Sequence, residues 1–162
     1  MPVHWAGRPC EMSKIYSIAK KYKLHVVQDS AHVIGASYKK KHLVNFGDAC
    51  TYSMHPLKNL NVWGDGGFIV TNKKLLAEKL YLIRNHGLKN RDNVEVFGFN
   101  SRLDTIQAAV AIQPAVATPW ADPSQPSARA WPFRSFQLRD CLPLCAWLSL
   151  CVLRWRSKTD HG

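Results

Sequence analysis

The alternation of apolar and polar positions divides the first 110 residues into short, regular pieces. From Glu11 to Lys23, Met12, Ile15, Ile18 and Ala19 recur at helical spacing with lysines between them, which predicts an amphipathic helix packed on a sheet. The run Leu24 to Gln28 follows directly and reads as a buried strand, with Asp29 at its carboxyl end. A helix leading straight into a buried strand is half of a parallel crossover unit, so the fold class is α/β. Gly35–Tyr38, Leu43–Phe46, Ala49–Ser53 and Gly67–Thr71 read as further short strands separated by polar turns. A helix is predicted from Lys73 to Asn85, capped by Asn72, carrying Leu75, Leu76, Leu80 and Ile83 on one face and stopped by Gly87. Another opens at Ser101 with a Ser101-x-x-Asp104 capping box and buries Leu103, Ile106 and Val110. Before all of these, Met1–Cys10 is extended and carries Pro2, Pro9, His4 and Trp5.

After Val110 the periodicity lapses. Residues 111–162 hold four of the six tryptophans, are rich in proline and show no sustained helical or strand period. Cys141–Leu153 is apolar, but Pro143 interrupts it and it is too short to span a bilayer. We read the organisation as a partial domain over residues 1–110 followed by an unrelated tail over 111–162. That tail is expected to be disordered or aggregation-prone, because it exposes Trp and Leu without a partner surface.

The candidate chemistry centres on Tyr52-Ser53-Met54-His55-Pro56-Leu57-Lys58-Asn59-Leu60, closed by Gly64-Asp65-Gly66-Gly67. Lys58 lies in a loop after an apolar strand, with a proline to fix the backbone and glycines to let it turn. An amine attacks a carbonyl only when deprotonated, which partial desolvation favours. The same pattern also fits an ordinary solvated lysine. Asp29, 29 positions earlier, sits where open α/β sheets place ligand-binding groups, and fits a turn cap equally well.

Charge and cysteine content narrow the classes further. Twenty-two basic residues against 11 acidic give a formal +11, but they are scattered. The one tight run, Lys39-Lys40-Lys41, falls in a turn with no aromatic interleaving, so neither nucleic acid nor a membrane is expected as a partner. Five cysteines with no C-x-x-C pair and no secretory leader fit a reduced, cytoplasmic compartment. Cys141, Cys145 and His161 match no metal-ligand spacing, and no metal is expected.

Gln28-Asp29-Ser30-Ala31-His32, Phe46-Gly47-Asp48, Ser53-x-His55-Pro56-x-Lys58-Asn59, Gly64-Asp65-Gly66-Gly67, Arg84-Asn85-His86-Gly87 and Gly98-Phe99-Asn100-Ser101-Arg102-Leu103-Asp104 resemble, in order, the motifs of the DegT/DnrJ/StrS family. The likeness runs from about Pro2 to Val110. It implies part of the large domain of a fold-type-I aminotransferase, with a mainly parallel sheet, pyridoxal 5'-phosphate as cofactor and a homodimeric assembly. The implied reaction moves an amino group from glutamate to a keto-sugar nucleotide. By the same resemblance Lys58 would bind the cofactor covalently and shuttle a proton, and Asp29 would pair with the ring nitrogen. His32 would sit near the ring hydroxyl, or be a turn histidine. Ser53 would bond the phosphate, and Asn100 would reach the phosphate of a neighbouring subunit. His86 receives no role. A lysine rather than a histidine at position 58 separates aminotransferases from the dehydratases that resemble them. Family members resemble chains more than twice this length, so the sequence reads as a central piece. Its expected alternative function is that of an inactive fragment, lacking the glycine-rich helix start that holds the phosphate.

Overall fold

The computed structural model describes residues 1–117 and 150–154. Its elements, in order, are α1 (Met12–Lys21), β1 (Val27–Asp29), β2 (Ser37–Tyr38), β3 (Lys41–His42), a 3-10 turn (Leu43–Phe46), β4 (Ala49–Ser53), β5 (Gly67–Thr71), α2 (Lys74–Ile83), β6 (Leu88–Asn90), β7 (Asn93–Val94), α3 (Thr105–Ala117) and β8 (Leu150–Arg154). The main sheet has the order β1-β4-β5-β8. β1 and β4 are parallel, β4 and β5 antiparallel, and β5 and β8 parallel, so the sheet is mixed. Val3 bridges Asp29 in parallel, with the His4 amide on the Asp29 carbonyl at 3.0 Å and the Asp29 amide on that of Pro2 at 2.9 Å. The extended start, α1 and β1 thus make the crossover that the helix-then-strand order implies. Its consequence for function is that β1 and β4 end at the same edge of the sheet.

Met12 and Ala19 of α1 pack into a core with Val26, Val33, Leu43, Val44, Cys50, Tyr52 and Val70. The Tyr52 ring stacks on Phe68 at 4.6 Å. Ile18, on the expected apolar face of α1, is 54% exposed, and so is most of Leu75 on α2, where Ala77 is the buried residue. Polar groups in this core are matched. Gln28, fully buried, accepts from His4 Nε2 at 3.0 Å and donates to the Leu43 carbonyl at 3.0 Å. Because His4 Nδ1 accepts the Cys10 amide at 3.0 Å, the imidazole proton sits on Nε2, as the Gln28 oxygen requires. Asp48 fastens the ends of three segments: its carboxylate takes the Val26 amide at 2.6 Å and pairs with Lys73, and its carbonyl takes the Thr71 hydroxyl at 2.6 Å.

Four expectations need correction. Asn72 does not cap α2: Lys73 precedes the helix with no side-chain cap bond, and Asn72 Nδ2 donates instead to Asn45 Oδ1 at 3.2 Å. Leu43–Phe46 is a 3-10 turn and not a strand, because His42 Nδ1 accepts the Val44 amide at 3.3 Å and Asn45 Nδ2 donates to the His42 carbonyl at 3.0 Å. Those local bonds curl the backbone away from a ladder. The helix expected at Ser101 begins at Thr105. Leu103 is buried ahead of it, while Ile106 within it is 61% exposed. Lastly, the loop glycines after Lys58 do not supply left-handed turns. Residues with positive φ among the glycines are Gly7, Gly35 and Gly87. Gly66 and Gly67 are needed for closeness: a Cβ on Gly67 would lie 2.7 Å from the Tyr52 carbonyl oxygen, and one on Gly66 would lie 3.0 to 3.2 Å from Leu103, Val62 and Met54.

α3 crosses residue 110 and ends at Ala117, and 150–154 pairs with β5 as β8. The disorder expected for the remainder of the tail, and Cys141, Cys145 and His161, fall outside the described residues.

Candidate functional site

Asp29 and Ser53 stand at the carboxyl ends of adjacent parallel strands, Asp29 level with Thr51 two residues before Ser53. Beyond Ser53 the chain makes a loop back to the antiparallel β5, and this loop carries Lys58. Its shape is held by its own bonds. Ser53 Oγ accepts the His55 amide at 3.2 Å, and the Lys58 amide donates to the His55 carbonyl at 2.8 Å. Asn61 Nδ2 donates to the Lys58 carbonyl at 3.0 Å, the Val62 amide returns to Met54 at 3.0 Å, and the Met54 amide reaches Gly66 at 2.8 Å. Beneath it, Met54, Val62 and Leu103 form a second apolar cluster with Leu60 and Phe68 at its margin. The loop is therefore a fixed platform. α3 holds its far side, where Gln107 Oε1 accepts the Trp63 amide at 2.8 Å.

Between this platform and the sheet edge lies a cavity of about 370 Å³, lined by His32, Ser53, Lys58 and Asn59 together with Ala31, Leu57 and the backbone turn at Ala6-Gly7. Three of the expected site residues, His32, Ser53 and Lys58, thus line one cavity. Asp29 adjoins the cavity through Ala31, whose amide it accepts on Oδ1 at 3.1 Å. Asn100 is elsewhere: it is exposed, bridges Asn85, and accepts from Arg102 Nε at 3.1 Å. His86 is also off the cavity, held by its amide on the Phe99 carbonyl at 2.9 Å.

Trp5 belongs to this neighbourhood and is missed by motif reasoning. Its ring lies 4.9 Å from that of His32, tilted by 55°. An exposed Trp beside two small residues was the signal available.

Two buried groups near the sheet, His42 and Cys50, are held neutral. Burial lowers His42 from 6.5 to about 4. It also pushes the Cys50 thiol up to about 12, so this thiol is inert at neutral pH. Among the described residues no three His, Cys, Asp or Glu side chains gather as metal ligands, and no helix is long and apolar enough to cross a membrane.

Residues 1–115 match the DegT/DnrJ/EryC1/StrS aminotransferase family. The chain is 48% identical over 110 residues to a pleiotropic regulatory protein of Geobacillus stearothermophilus, covering 68% of this chain and 30% of that one. It is 40% identical over 110 residues to dTDP-3-amino-3,4,6-trideoxy-alpha-D-glucose transaminase of Streptomyces venezuelae, covering 68% and 29%. Among solved structures, S. venezuelae DesV in complex with a ketimine intermediate superimposes with a TM-score of 0.67 at 37% identity, over 70% of this chain and 31% of the other. NtdA of Bacillus subtilis, with bound cofactor PMP, gives 0.64 at 34% identity, over 69% and 26%. The chain therefore spans about 30% of the length of the curated relatives it matches. Its described fold is part of a fold-type-I aminotransferase, and the chain belongs to the DegT/DnrJ/EryC1/StrS aminotransferase family.

Proposed function

We propose that residues 1–117 form the lysine-bearing part of a pyridoxal phosphate-dependent aminotransferase site acting on a keto-sugar nucleotide, with glutamate as amino donor. The observation that carries this is the shared cavity: an amine, a hydroxyl and an imidazole line it, near the end of β1 that carries Asp29. That donor set fits the cofactor's aldehyde, phosphate, ring hydroxyl and ring nitrogen. When bound, pyridoxal phosphate supplies an electron sink for the carbanion left when a proton leaves the substrate.

The chain's own residues then have separable tasks. Lys58 Nζ would hold the cofactor through its aldehyde and, as an amine, would hold and return the proton. The Ser53 oxygen already accepts the His55 amide, so its hydroxyl proton is left to donate to a phosphate oxygen. Asp29 keeps a proton on the ring nitrogen, since a carboxylate beside it favours the charged form. His32, which lines the cavity, would meet the ring hydroxyl. Asn100 is exposed and outside the cavity, and on this reading it would serve a second copy of the chain in a homodimer.

A second reading concerns the 162 residues by themselves, as an inactive fragment. Among the described residues, the cavity offers a phosphate two neutral side chains, Ser53 and Asn59. Two such hydrogen bonds contribute about 1 to 3 kcal/mol, against roughly 8 kcal/mol for micromolar affinity. On this reading the chain needs a further phosphate cup before it turns over. The purified chain is titrated with pyridoxal phosphate, desalted, reduced with borohydride and peptide-mapped. Desalting-resistant, stoichiometric label on Lys58 supports an autonomous site. Weak label still enriched on Lys58 supports a site that needs completion, and label spread evenly over the lysines removes Lys58 from its role.

A further inference from the structure

We propose that Trp5 is a positioning residue of this site, fixing the imidazole of His32 against the cavity wall; the inference rests on the reading of the cavity as a pyridoxal phosphate site. His32 lines the cavity yet is exposed, and among the described residues no hydrogen bond holds its ring. A surface imidazole without a partner samples several rotamers, and an imidazole meant to meet a ring hydroxyl has to be held in one. The contact that restricts it is the indole of Trp5, 4.9 Å away between centroids and tilted by 55°, within the range of favourable aromatic pairs.

Both halves of this pair hang from the same residue. The His4 amide, just before Trp5, donates to the Asp29 carbonyl at 3.0 Å. The Ala31 amide, just before His32, donates to Asp29 Oδ1 at 3.1 Å. His4 itself is 1% exposed and locked to Gln28, so the backbone entering Trp5 has little freedom. After Trp5 the chain turns back at once, with the Arg8 amide on the Trp5 carbonyl at 2.9 Å. That turn places Ala6 at φ 49° and Gly7 at φ 80°. Alanine rarely adopts the left-handed region, and both residues line the same cavity as Ser53 and Lys58. The turn follows directly on Trp5, whose ring meets that of His32.

The test uses the full chain in four forms: unchanged, Trp5→Leu, Trp5→Phe and His32→Ala. Histidine-selective NMR reads the His32 ring protons, assigned by their loss in His32→Ala. The expected result is an upfield ring-current shift in the unchanged chain, lost in Trp5→Leu and partly kept in Trp5→Phe, with the remaining histidines unmoved. Superimposable His32 signals in the unchanged chain and Trp5→Leu overturn the proposal. The second readout is the initial rate of borohydride-fixed pyridoxal phosphate label on Lys58. Trp5→Leu is expected to slow it by about 2- to 10-fold, Trp5→Phe to restore most of it, and the Trp5→Leu/His32→Ala double variant to fall no lower than His32→Ala alone. Additive losses show that Trp5 does not act through His32 and overturn the proposal. If Lys58 takes no preferential label in the unchanged chain, the cofactor reading fails, and the NMR result alone decides whether Trp5 positions His32.

Discussion

Gly98 packs against Gly87 so closely that a Cβ on Gly98 would lie 2.1 Å from the Gly87 nitrogen. A Cβ on Gly87 would lie 1.6 Å from the Val96 carbonyl oxygen, and Gly87 also holds φ at +73°. The contact clamps residues 84–87 against 98–101, joined by the Phe99 amide on Ile83 at 2.6 Å and the Ser101 amide on Arg84 at 2.9 Å. Two motifs 14 positions apart are thus one structural unit, and Asn100 is presented by it. Gly98→Ala is expected to cost about 3 kcal/mol, since backbone on both sides has to move. A lower urea midpoint at unchanged slope measures this. An unchanged midpoint would show that the two segments part in solution.

His42 makes stability depend on pH. Its Nδ1 accepts the Val44 amide at 3.3 Å, so a second ring proton would point at an N–H. Burial holds the group at about 4 in the folded chain, against 6.5 for a free imidazole. Between these values the unfolded chain takes up a proton that the folded chain refuses. Stability from this group is complete above pH about 6.5, falls as pH drops toward about 4, and is then flat. The loss reaches up to about 3 kcal/mol. Urea midpoints in that window should slope less in His42→Gln than in the unchanged chain. Parallel slopes would place the imidazole in contact with water.

How much of this was legible in the residues depended on whether the signal was local. β4 and β5 have the expected bounds, Ala49–Ser53 and Gly67–Thr71, because each is a short apolar run bounded by turn-forming residues. The motifs located residues of the cavity, since Ser53 ends β4, Lys58 lies in the loop that follows, and His32 lies three positions beyond a strand end. What failed was decided by tertiary contact or by competing side-chain bonds. Leu43–Phe46 has strand composition, but His42 and Asn45 bond its backbone locally. Gly66 and Gly67 look like turn glycines, and only the approach of Met54, Val62, Leu103 and the Tyr52 carbonyl shows that they are there for lack of a side chain. Trp5 carries no motif at all, and its part in the site depends on the parallel bridge between Val3 and Asp29.

Asp48 should govern the acid limb. Burial alone would raise its carboxyl, but Lys73, the Val26 amide and His25 together hold it below the ordinary 3.8. A depressed carboxylate stabilises the fold above its unfolded value and loses that contribution as pH falls through the lower, folded one. Asp48→Asn keeps an acceptor for the Val26 amide and removes the partner of Lys73. The variant is expected to be less stable at neutral pH and to lose less of its remaining stability below pH about 4. Thermal midpoints at neutral and acid pH, compared with the unchanged chain, test this. A constant difference between the two chains would show that the carboxyl is not shifted by folding.

Asp29 separates holding a cofactor from using it. Asparagine at this position keeps an oxygen for the Ala31 amide, now accepted at 3.1 Å, so the corner that carries His32 survives. What it would lose, on the proposed reading, is the negative charge that favours a protonated ring nitrogen. In a chain completed to the length of its relatives, Asp29→Asn is therefore expected to retain cofactor through desalting and to lose turnover with glutamate and a keto-sugar nucleotide by about 100-fold or more, the scale for removing one preorganised electrostatic partner. Lys58→Ala in the same chain is the contrasting control: it abolishes both the borohydride-fixed label at position 58 and turnover. Equal activity in Asp29→Asn would reduce Asp29 to the turn-forming residue that its bond to Ala31 already makes it.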